Sequence, residues 1–490
     1  MPAPFEPRPV PLRWCLVPLA VLVAALVGVL VVIPRFDPGF EGSGHVPLVL
    51  AAAAAALVAR RFGHDARRIE RGLVEGVAAG LPAVFVLMTI GMLIGTWLAA
   101  GTVQALIYWG LGLLSPRFFL AATCLACSLV SLVSGSSWST AGTIGLALIG
   151  VGEALGIDPA MTAGAVVSGA YFGDKLSPLS DTTNLAPAVA GTDLFVHIRH
   201  MLWTTIPSWT VAMLLYTALG LGLSAHGGAQ DVAPMRAVLA EHFAPGVWHL
   251  VPPAVVAALI ARRHRPLPAL LAGVLAGAVV ALVEGRPVGA VVTAATGGFV
   301  SDTGDPALDA LLSRGGMFSL GSTVFLIVCA LGFGGILEAT GMLEVLAGAV
   351  LRRARTTGRL VAATVGTAFG MNVVAADQYI AIVVPGRMLA PAYRARGLAP
   401  QNLSRALEDG GTITSALVPW NTCGAFMTAT LMVPTFAYAP YAFLNLLNPL
   451  LSIAYGFLGL SMAPAGGGGD DGDRDGDRDG GGMHRGGDGG

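Results

Sequence analysis

Ionisable and hydroxyl-bearing side chains are concentrated in the segment Gly173–Asn184, which reads G-D-K-L-S-P-L-S-D-T-T-N between long apolar runs. It contains Asp174, Asp181 and Lys175, the single lysine of the chain. Burying charges at bilayer depth costs at least about 2.5–3.5 kcal/mol for each charge, so such residues are rare there and mark functional positions. The motif therefore predicts an ion-binding site.

Three further polar segments interrupt apolar stretches, and each predicts a broken helix. They are Ser134–Thr140, Asn372–Gln378 with Asp377, and Glu408–Thr414, which leads into Pro419–Thr422. A broken helix frees backbone carbonyls, and together with carboxylates and hydroxyls these oxygens suit a hard cation such as Na⁺. A carboxylate that loses its cation in a low-dielectric cavity takes up a proton instead. Competition between the two ions is the minimal mechanism of an antiporter.

The candidate residues fall into groups with different roles. We predict that Asp174, Asp181 and Asp377 bind the ion and the proton, and that Lys175 tunes the charge of Asp174 or competes with the cation. A Na⁺ ion is placed at Asp181, Thr183 and Asn184. Neutral oxygen ligands are expected from Ser177, Thr182, Thr183, Asn184 and Asn421. The secondary candidates for the site are Ser137, Ser139 and Asp409.

Structural roles remain open for several of these residues. Asp174 and Lys175 could form a local ion pair, and Asp181 could belong to the cap of the following helix. Ser134–Thr140 could be a packing surface of small residues. Glu408 and Asp409 follow Arg405 closely in sequence, which is compatible with a position near the surface.

The overall composition is that of a membrane protein. Of the 490 residues, 54% are hydrophobic and 12% are charged, against about 25% charged residues in soluble domains. Repeated apolar runs, beginning at residues 13–33, predict an all-α polytopic membrane protein with about 10 to 13 transmembrane helices. Several runs are too short to span alone and predict half-helices or re-entrant hairpins. A net charge of −1 gives no nucleic-acid signal.

Internal similarity divides the chain into regions. Segments 98–106, 134–140 and 177–184 resemble segments 338–346, 372–378 and 415–422, which lie 238 to 240 residues later. Two repeats of opposite orientation are typical of secondary transporters. The predicted regions are 1–60 (N-terminal helices), 73–223 (first repeat), 247–283 (connecting helices), 320–460 (second repeat) and 466–490 (a disordered Gly/Asp-rich tail).

Basic clusters predict the orientation of the chain in the membrane. They occur at Arg60–Arg71, Arg262–Arg265, Arg352–Arg359 and Arg387–Arg396. The positive-inside rule places these clusters, together with the N-terminus, in the cytoplasm.

The stretch 168–201, S-G-A-Y-F-G-D-K-L-S-P-L-S-D-T-T-N-L-A-P followed by A-V-A-G-T-D-L-F-V-H-I-R-H-M, closely resembles the signature region of the NhaC family of Na⁺/H⁺ antiporters. Asp377–Tyr379 and Trp420–Thr422 resemble landmarks of the family's second half. The resemblance implies an inverted-repeat transporter of the ion transporter superfamily with two membrane-embedded hairpins. It also implies export of Na⁺ in exchange for H⁺.

We therefore expect a secondary antiporter that exchanges H⁺ for Na⁺, with Li⁺ as a further candidate ion, in a bacterial cytoplasmic membrane. The alternative is a Na⁺- or H⁺-coupled malate/lactate exchanger of the same family. No enzymatic activity and no cofactor are expected; the partners are the two ions and the lipid bilayer, and a homodimer is left open. An intramembrane aspartyl protease is disfavoured because Tyr171 stands where its G-x-G-D motif requires glycine.

Overall fold

The fold is built from α-helices. The computed structural model describes residues 8–37, 40, 42–113, 115–225, 233–262 and 264–465. Within these ranges the one β-type pairing is an isolated bridge between Leu398 and Pro464. The predicted all-α class is confirmed. The tail at 466–490 lies outside the described residues.

The N-terminal region contains two long helices and an amphipathic one. The first apolar run forms a long helix, as its composition predicts, and this helix continues through a π-helical turn at Gly28–Val32. The helices are α1 (Leu12–Val27), α2 (Ile33–Phe36), α3 (His45–Arg61) and α4 (Ala66–Ala79).

The next region contains the Gly173–Asn184 motif and has non-helical turns within its polar segments at 135–136 and 177–180. Its helices are α5 (Leu81–Ala99), α6 (Thr102–Leu113), α7 (Phe119–Ser134), α8 (Ser137–Thr140), α9 (Leu146–Ala154), α10 (Pro159–Leu176), α11 (Asp181–Ala190) and α12 (Leu194–Ala225). A π-helical turn at Ala141–Gly145 joins α8 to α9.

A connecting region follows, with helices α13 (Ala233–Phe243), α14 (Val251–Ala261), α15 (Pro266–Val283), α16 (Val288–Gly297) and α17 (Pro306–Leu312). The last region again contains two interruptions. Its helices are α18 (Gly321–Ala339), α19 (Met342–Leu351), α20 (Thr357–Val374), α21 (Gln378–Ala395), α22 (Pro400–Leu407), α23 (Ile413–Ser415), α24 (Thr422–Leu431), α25 (Thr435–Tyr438) and α26 (Phe443–Leu458).

Five of the described helices are long and apolar enough to cross a membrane alone, and two bent helix pairs bring the number to seven. This is fewer than the 10 to 13 spans predicted, because the other apolar runs form shorter or interrupted helices. Phe119–Ser134 and Thr422–Leu431 are examples. The interruptions are the feature that positions the candidate site.

Glycine allows α10 to lie directly against α7. Ideal Cβ atoms built on Gly169 and Gly173 would collide with backbone atoms of α7, between Cys124 and Leu132. Small residues at such positions let helix backbones approach closely in membranes. The contact fixes the end of α10 beside the end of α7, where both helices are interrupted.

Candidate functional site

The first interruption is the tip of a hairpin. After α7, Gly135 adopts φ +66°, and the Ser136 hydroxyl accepts the backbone N–H of Ser139 at 3.1 Å as the N-cap of α8. At the other end of the hairpin, a Cβ built on Gly152 would lie 3.0 Å from the ring of Phe119. The start of α7 and the end of α9 are therefore adjacent, so the segment turns back on itself.

A second hairpin is formed by α20 and α21. Ala376 at its tip has φ +59°, and the Asp377 carboxylate accepts the N–H groups of Tyr379 and Ile380 at 2.8 and 3.1 Å. At its base the guanidinium of Arg396 donates to the carbonyl of Ala354. The start of α20 and the end of α21 are therefore adjacent, as expected for a hairpin.

Two further helices are broken next to these tips. The chain between α10 and α11 is non-helical at residues 177–180, and the Ser180 hydroxyl caps α11 by accepting the N–H of Thr183 at 3.4 Å. The chain between α23 and α24 is non-helical at residues 416–421, and Asn421 caps α24 by accepting the N–H of Cys423 at 2.9 Å. All four polar segments of the sequence thus contain or border an interruption.

The four capping residues have a regular spacing. Ser136 and Asp377 cap the outgoing arms of the hairpins, whereas Ser180 and Asn421 cap the resumed helices. Within each pair the two residues lie 241 positions apart. The spacing of 241 is three residues larger than the offset of 238 obtained from residue similarity. The reason is that the capping residues, and not the neighbouring polar residues, occupy equivalent positions in the two halves.

Each hairpin tip contacts one helix break. The Asp174 carboxylate, at the end of α10, accepts the Ser137 hydroxyl at 2.6 Å and the Ser137 N–H at 3.2 Å. In the other pair, the Asn421 amide donates to the side-chain oxygen of Asn372 at 3.1 Å. The Thr422 N–H donates to the carbonyl of Ala376 at 2.9 Å. Both tips are therefore tied to breaks by direct hydrogen bonds.

The two tip-and-break pairs meet at the centre of the structure. The Tyr171 hydroxyl lies 3.3 Å from the Ser415 hydroxyl, and the Trp138 ring stacks on Phe426 with centroids 4.1 Å apart. Four capped helix N-termini thus gather in one region. Each end carries a partial positive charge, which favours negatively charged partners.

The three predicted carboxylates lie around this centre. Asp174 and Asp377 are buried, with 8% and 9% of their surface exposed, whereas Asp181 is exposed. Asp174 bonds the first hairpin tip, Asp377 caps the second, and Asp181 begins α11, which packs against α21 of the second hairpin. The structure therefore brings together Asp174, Asp181 and Asp377 from segments about 200 residues apart in sequence.

The predicted neutral oxygens mostly support the break between α10 and α11. Ser177, Thr182 and Thr183 are buried, and the Thr183 hydroxyl donates to the carbonyls of Asp174 and Lys175 at 3.0 Å each. Asn184 is exposed and donates to the carbonyl of Ser180 at 2.7 Å. The placement of Na⁺ at Asp181, Thr183 and Asn184 stays a prediction.

The secondary candidates Ser137, Ser139 and Asp409 are all buried. Ser137 bonds Asp174 directly, whereas the Ser139 hydroxyl has no hydrogen-bond partner in the described part of the chain. Glu408 is also fully buried. The interpretation that Glu408 and Asp409 lie near the surface is wrong, because α22 enters the interior before it reaches them.

Lys175 has partners that the sequence did not indicate. Its ammonium forms an ion pair with Asp409 rather than with Asp174, and donates to the side-chain oxygen of Asn448 at 2.8 Å. The Thr204 hydroxyl donates to Asp409 at 3.3 Å. The two partners of Lys175 come from two distant segments, so a local pattern could not have revealed them. The one sequence signal for a special role of Lys175 was that it is the single lysine in a chain with few charged residues.

Comparison with known proteins places this arrangement in a family. Residues 169–460, which contain both helix breaks and the second hairpin, match the Na⁺/H⁺ antiporter family. The chain belongs to this family. The match begins within α10, two residues before Tyr171, and ends just after α26.

Full-length relatives in the family differ in their named substrates. The chain is 40% identical to the Na⁺/H⁺ antiporter NhaC of Alkalihalophilus pseudofirmus over 85% of its length and 91% of that protein. It is 37% identical to the malate-2H⁺/Na⁺-lactate antiporter of Bacillus subtilis over 83% of its length and 87% of that protein. It is 38% identical to the arginine/ornithine antiporter ArcD of Halobacterium salinarum over 85% of its length and 87% of that protein.

Proposed function

We propose that this protein exchanges H⁺ for Na⁺, and also accepts Li⁺, across a bacterial cytoplasmic membrane by alternating access. The observation that carries this proposal is the position of Asp174 and Asp377 at the two hairpin tips, with Asp181 on the helix packed against the second hairpin, in a member of the Na⁺/H⁺ antiporter family. Carboxylates, hydroxyls and freed carbonyls are ligands that suit a hard cation. The same carboxylates accept protons when the cation leaves.

The proposed architecture consists of two inverted repeats, at 73–223 and 320–460, flanked by N-terminal and connecting helices. The 241-residue spacing of both cap pairs supports the repeat. The base of the second hairpin lies beside Arg352–Arg359, which the positive-inside rule assigns to the cytoplasm together with the N-terminus. One repeat then rocks against the other around a central site.

A second candidate function is coupled exchange of an organic anion such as malate or lactate. Four capped helix N-termini lie at the site, and their partial positive charge favours a carboxylate ligand. The name of the Bacillus subtilis relative records this kind of substrate. This candidate requires an organic acid for proton movement, whereas cation exchange does not.

The test measures collapse of a pH gradient in everted vesicles after addition of Na⁺, Li⁺, K⁺, malate or lactate. We expect Na⁺ and Li⁺ to collapse the gradient without any organic acid. Asp174→Asn and Asp181→Asn should abolish the response, because each removes a carboxylate from the site. Asp302→Asn is the matched control, since Asp302 is an exposed residue of the 298–305 segment.

Two results would contradict the proposal. A response to malate or lactate alone would favour the second candidate. A full Na⁺ response in Asp174→Asn and Asp181→Asn would remove these residues from the ion site.

A further inference from the structure

A second polar region lies beyond the hairpin tips, between the π-helical turn Glu408–Thr412 and α26. Several of its buried side-chain atoms have no hydrogen-bond partner among the described residues. These atoms are both carboxylate oxygens of Glu408, Oδ2 of Asp409, Oγ1 of Thr412, Oδ1 of Asn445, Nδ2 of Asn448 and Oγ of Ser452. Most buried polar groups in proteins are hydrogen-bonded, so a concentration of exceptions indicates a place for protons, ions or water.

The polar side of α26 is a continuous stripe. Asn445, Asn448 and Ser452 are spaced by three and four residues, which places them on one face of the helix. All three are fully buried, and α26 packs against α10, α12, α20 and the π-helical turn. The stripe meets the ion pair at Asn448, which accepts a hydrogen bond from Lys175.

The charges in this region do not balance. Glu408 and Asp409 supply two carboxylates, and Lys175 supplies one ammonium, which is engaged by Asp409. All three side chains are fully buried. Burying an uncompensated charge costs several kcal/mol or more, so one further positive charge is required if both carboxylates are ionised. A proton on Glu408 meets this requirement directly.

Arg405, buried four residues before Asp409, supplies a second positive charge, but Asp174 on α10 adds a third carboxylate. Two cations therefore face three carboxylates, and one negative charge still lacks a partner. Arg405 directs its guanidinium to the carbonyl and hydroxyl oxygens of Ser461. Facing groups on the adjacent helices are Asp174 on α10, His197 on α12, Tyr393 on α21 and Tyr455 on α26. The His197 ring is bonded to the Ser404 hydroxyl at 2.7 Å. Asp174 adds negative charge, which strengthens the need for a proton.

A proton fits this position better than a metal ion. Na⁺ prefers a shell of several oxygen ligands, as the broken helices offer at the central site. Glu408 instead lies in a helical turn whose backbone continues from α22 into α23, so no carbonyls are freed by a break there.

We propose that Glu408 is a proton-carrying residue of a second site, separate from the carboxylates at the hairpin tips, and that the Lys175–Asp409 pair lies between the two sites. This rests on the proposed exchange of H⁺ for Na⁺. Protonation and deprotonation of Glu408 change the charge next to Lys175. Since Thr183 bonds the backbone carbonyl of Lys175, that change is adjacent to the predicted Na⁺ ligands.

The experiment compares two transport modes in proteoliposomes containing the full chain. One is Na⁺-driven proton movement, and the other is exchange of ²²Na⁺ for unlabelled Na⁺, which needs no net proton transfer. Glu408→Gln keeps the shape of the side chain but carries no titratable proton. We expect it to lose proton movement and retain Na⁺/Na⁺ exchange, whereas Glu408→Asp retains both with a shifted pH profile. Glu344→Gln, an exposed position on α19, is the control.

Three outcomes decide the matter. Wild-type proton movement in Glu408→Gln overturns the proposal. Loss of both modes in Glu408→Gln also overturns it, because Glu408 would then belong to the cation site or to the fold. Failure of the unmodified protein to move protons with any cation refutes the proposed function instead, and the same pair of variants is then measured with malate or lactate as the driving substrate.

Discussion

At the scale of single residues, Lys175 is held by one buried carboxylate and one amide oxygen. Breaking a buried ion pair by removing one partner costs about 3–5 kcal/mol, whereas removing both charges is often much less costly. We therefore expect Lys175→Met to lower the melting temperature strongly. The double variant Lys175→Met/Asp409→Asn should recover much of the loss. The melting temperatures of the single and double variants are measured in detergent by fluorescence-detected size-exclusion chromatography. Equal melting temperatures for the wild type and Lys175→Met would contradict the stabilising role of the pair.

Asp377 combines a cap with a charge, and the two roles can be separated. Asparagine accepts the same N–H groups as an N-cap, so Asp377→Asn should retain stability while losing Na⁺-driven proton movement. Asp377→Ala should lose transport and also about 1 kcal/mol of stability, because the cap is absent. Parallel melting and vesicle assays check this. Transport at the wild-type rate in Asp377→Asn would show that the residue serves the helix alone.

At the scale of elements, the tip of the first hairpin depends on Gly135. Its φ of +66° suits glycine, and a Cβ there would lie 2.7 Å from Cβ of Leu179 and 3.0 Å from N of Ser180. Gly191 has φ +82° with open space around it, so Gly191→Ala tests the backbone conformation alone.

We expect Gly191→Ala to cost about 1 kcal/mol, from the unfavourable φ. Gly135→Ala should cost more and should also reduce Na⁺-driven proton movement, because the collision separates the tip from the break that it contacts. Melting temperatures and vesicle assays of the two variants provide the comparison. If the two alanines have equal effects on both quantities, close contact at the tip is unimportant.

The interruptions themselves were predictable from the sequence, whereas their partners were not. Polar residues, glycine and Pro178 within apolar runs indicate where a membrane helix ends, and three breaks lie within the predicted segments. The fourth prediction is wrong in position, because Glu408–Thr414 is helical and the break follows it at 416–421. The pairing of Lys175 with Asp409 spans 234 positions. It depends on how the end of α10 meets the π-helical turn Glu408–Thr412 in the folded protein. Asn448 lies in a largely apolar run, where a polar residue carries no sign of its partner.

At the scale of the whole molecule, the proposed orientation can be tested by labelling from either side of the membrane. Val300 is 80% exposed in the connecting region, and Arg353 is exposed at the base of the second hairpin. With the basic clusters in the cytoplasm, the connection 284–318 is expected on the opposite side of the membrane. A membrane-impermeant maleimide should therefore label Val300→Cys in intact cells and Arg353→Cys in everted vesicles only. Four of the native cysteines are buried and Cys329 is partly buried, so the unmodified chain serves as the background. The opposite labelling pattern would invert the proposed topology.

The stacked rings of Trp138 and Phe426 give the molecule an optical reporter at its centre. Trp138 follows Ser137, the residue bonded to Asp174, and Phe426 lies on the helix that Asn421 caps. Any change in the distance between the two halves of the site alters the environment of this indole. Because the chain contains eight tryptophans, the emission spectrum of a Trp138→Phe variant subtracted from that of the native protein isolates its signal. We expect ion binding to change this signal, which would report ion occupancy by fluorescence without a radioactive tracer or an attached dye.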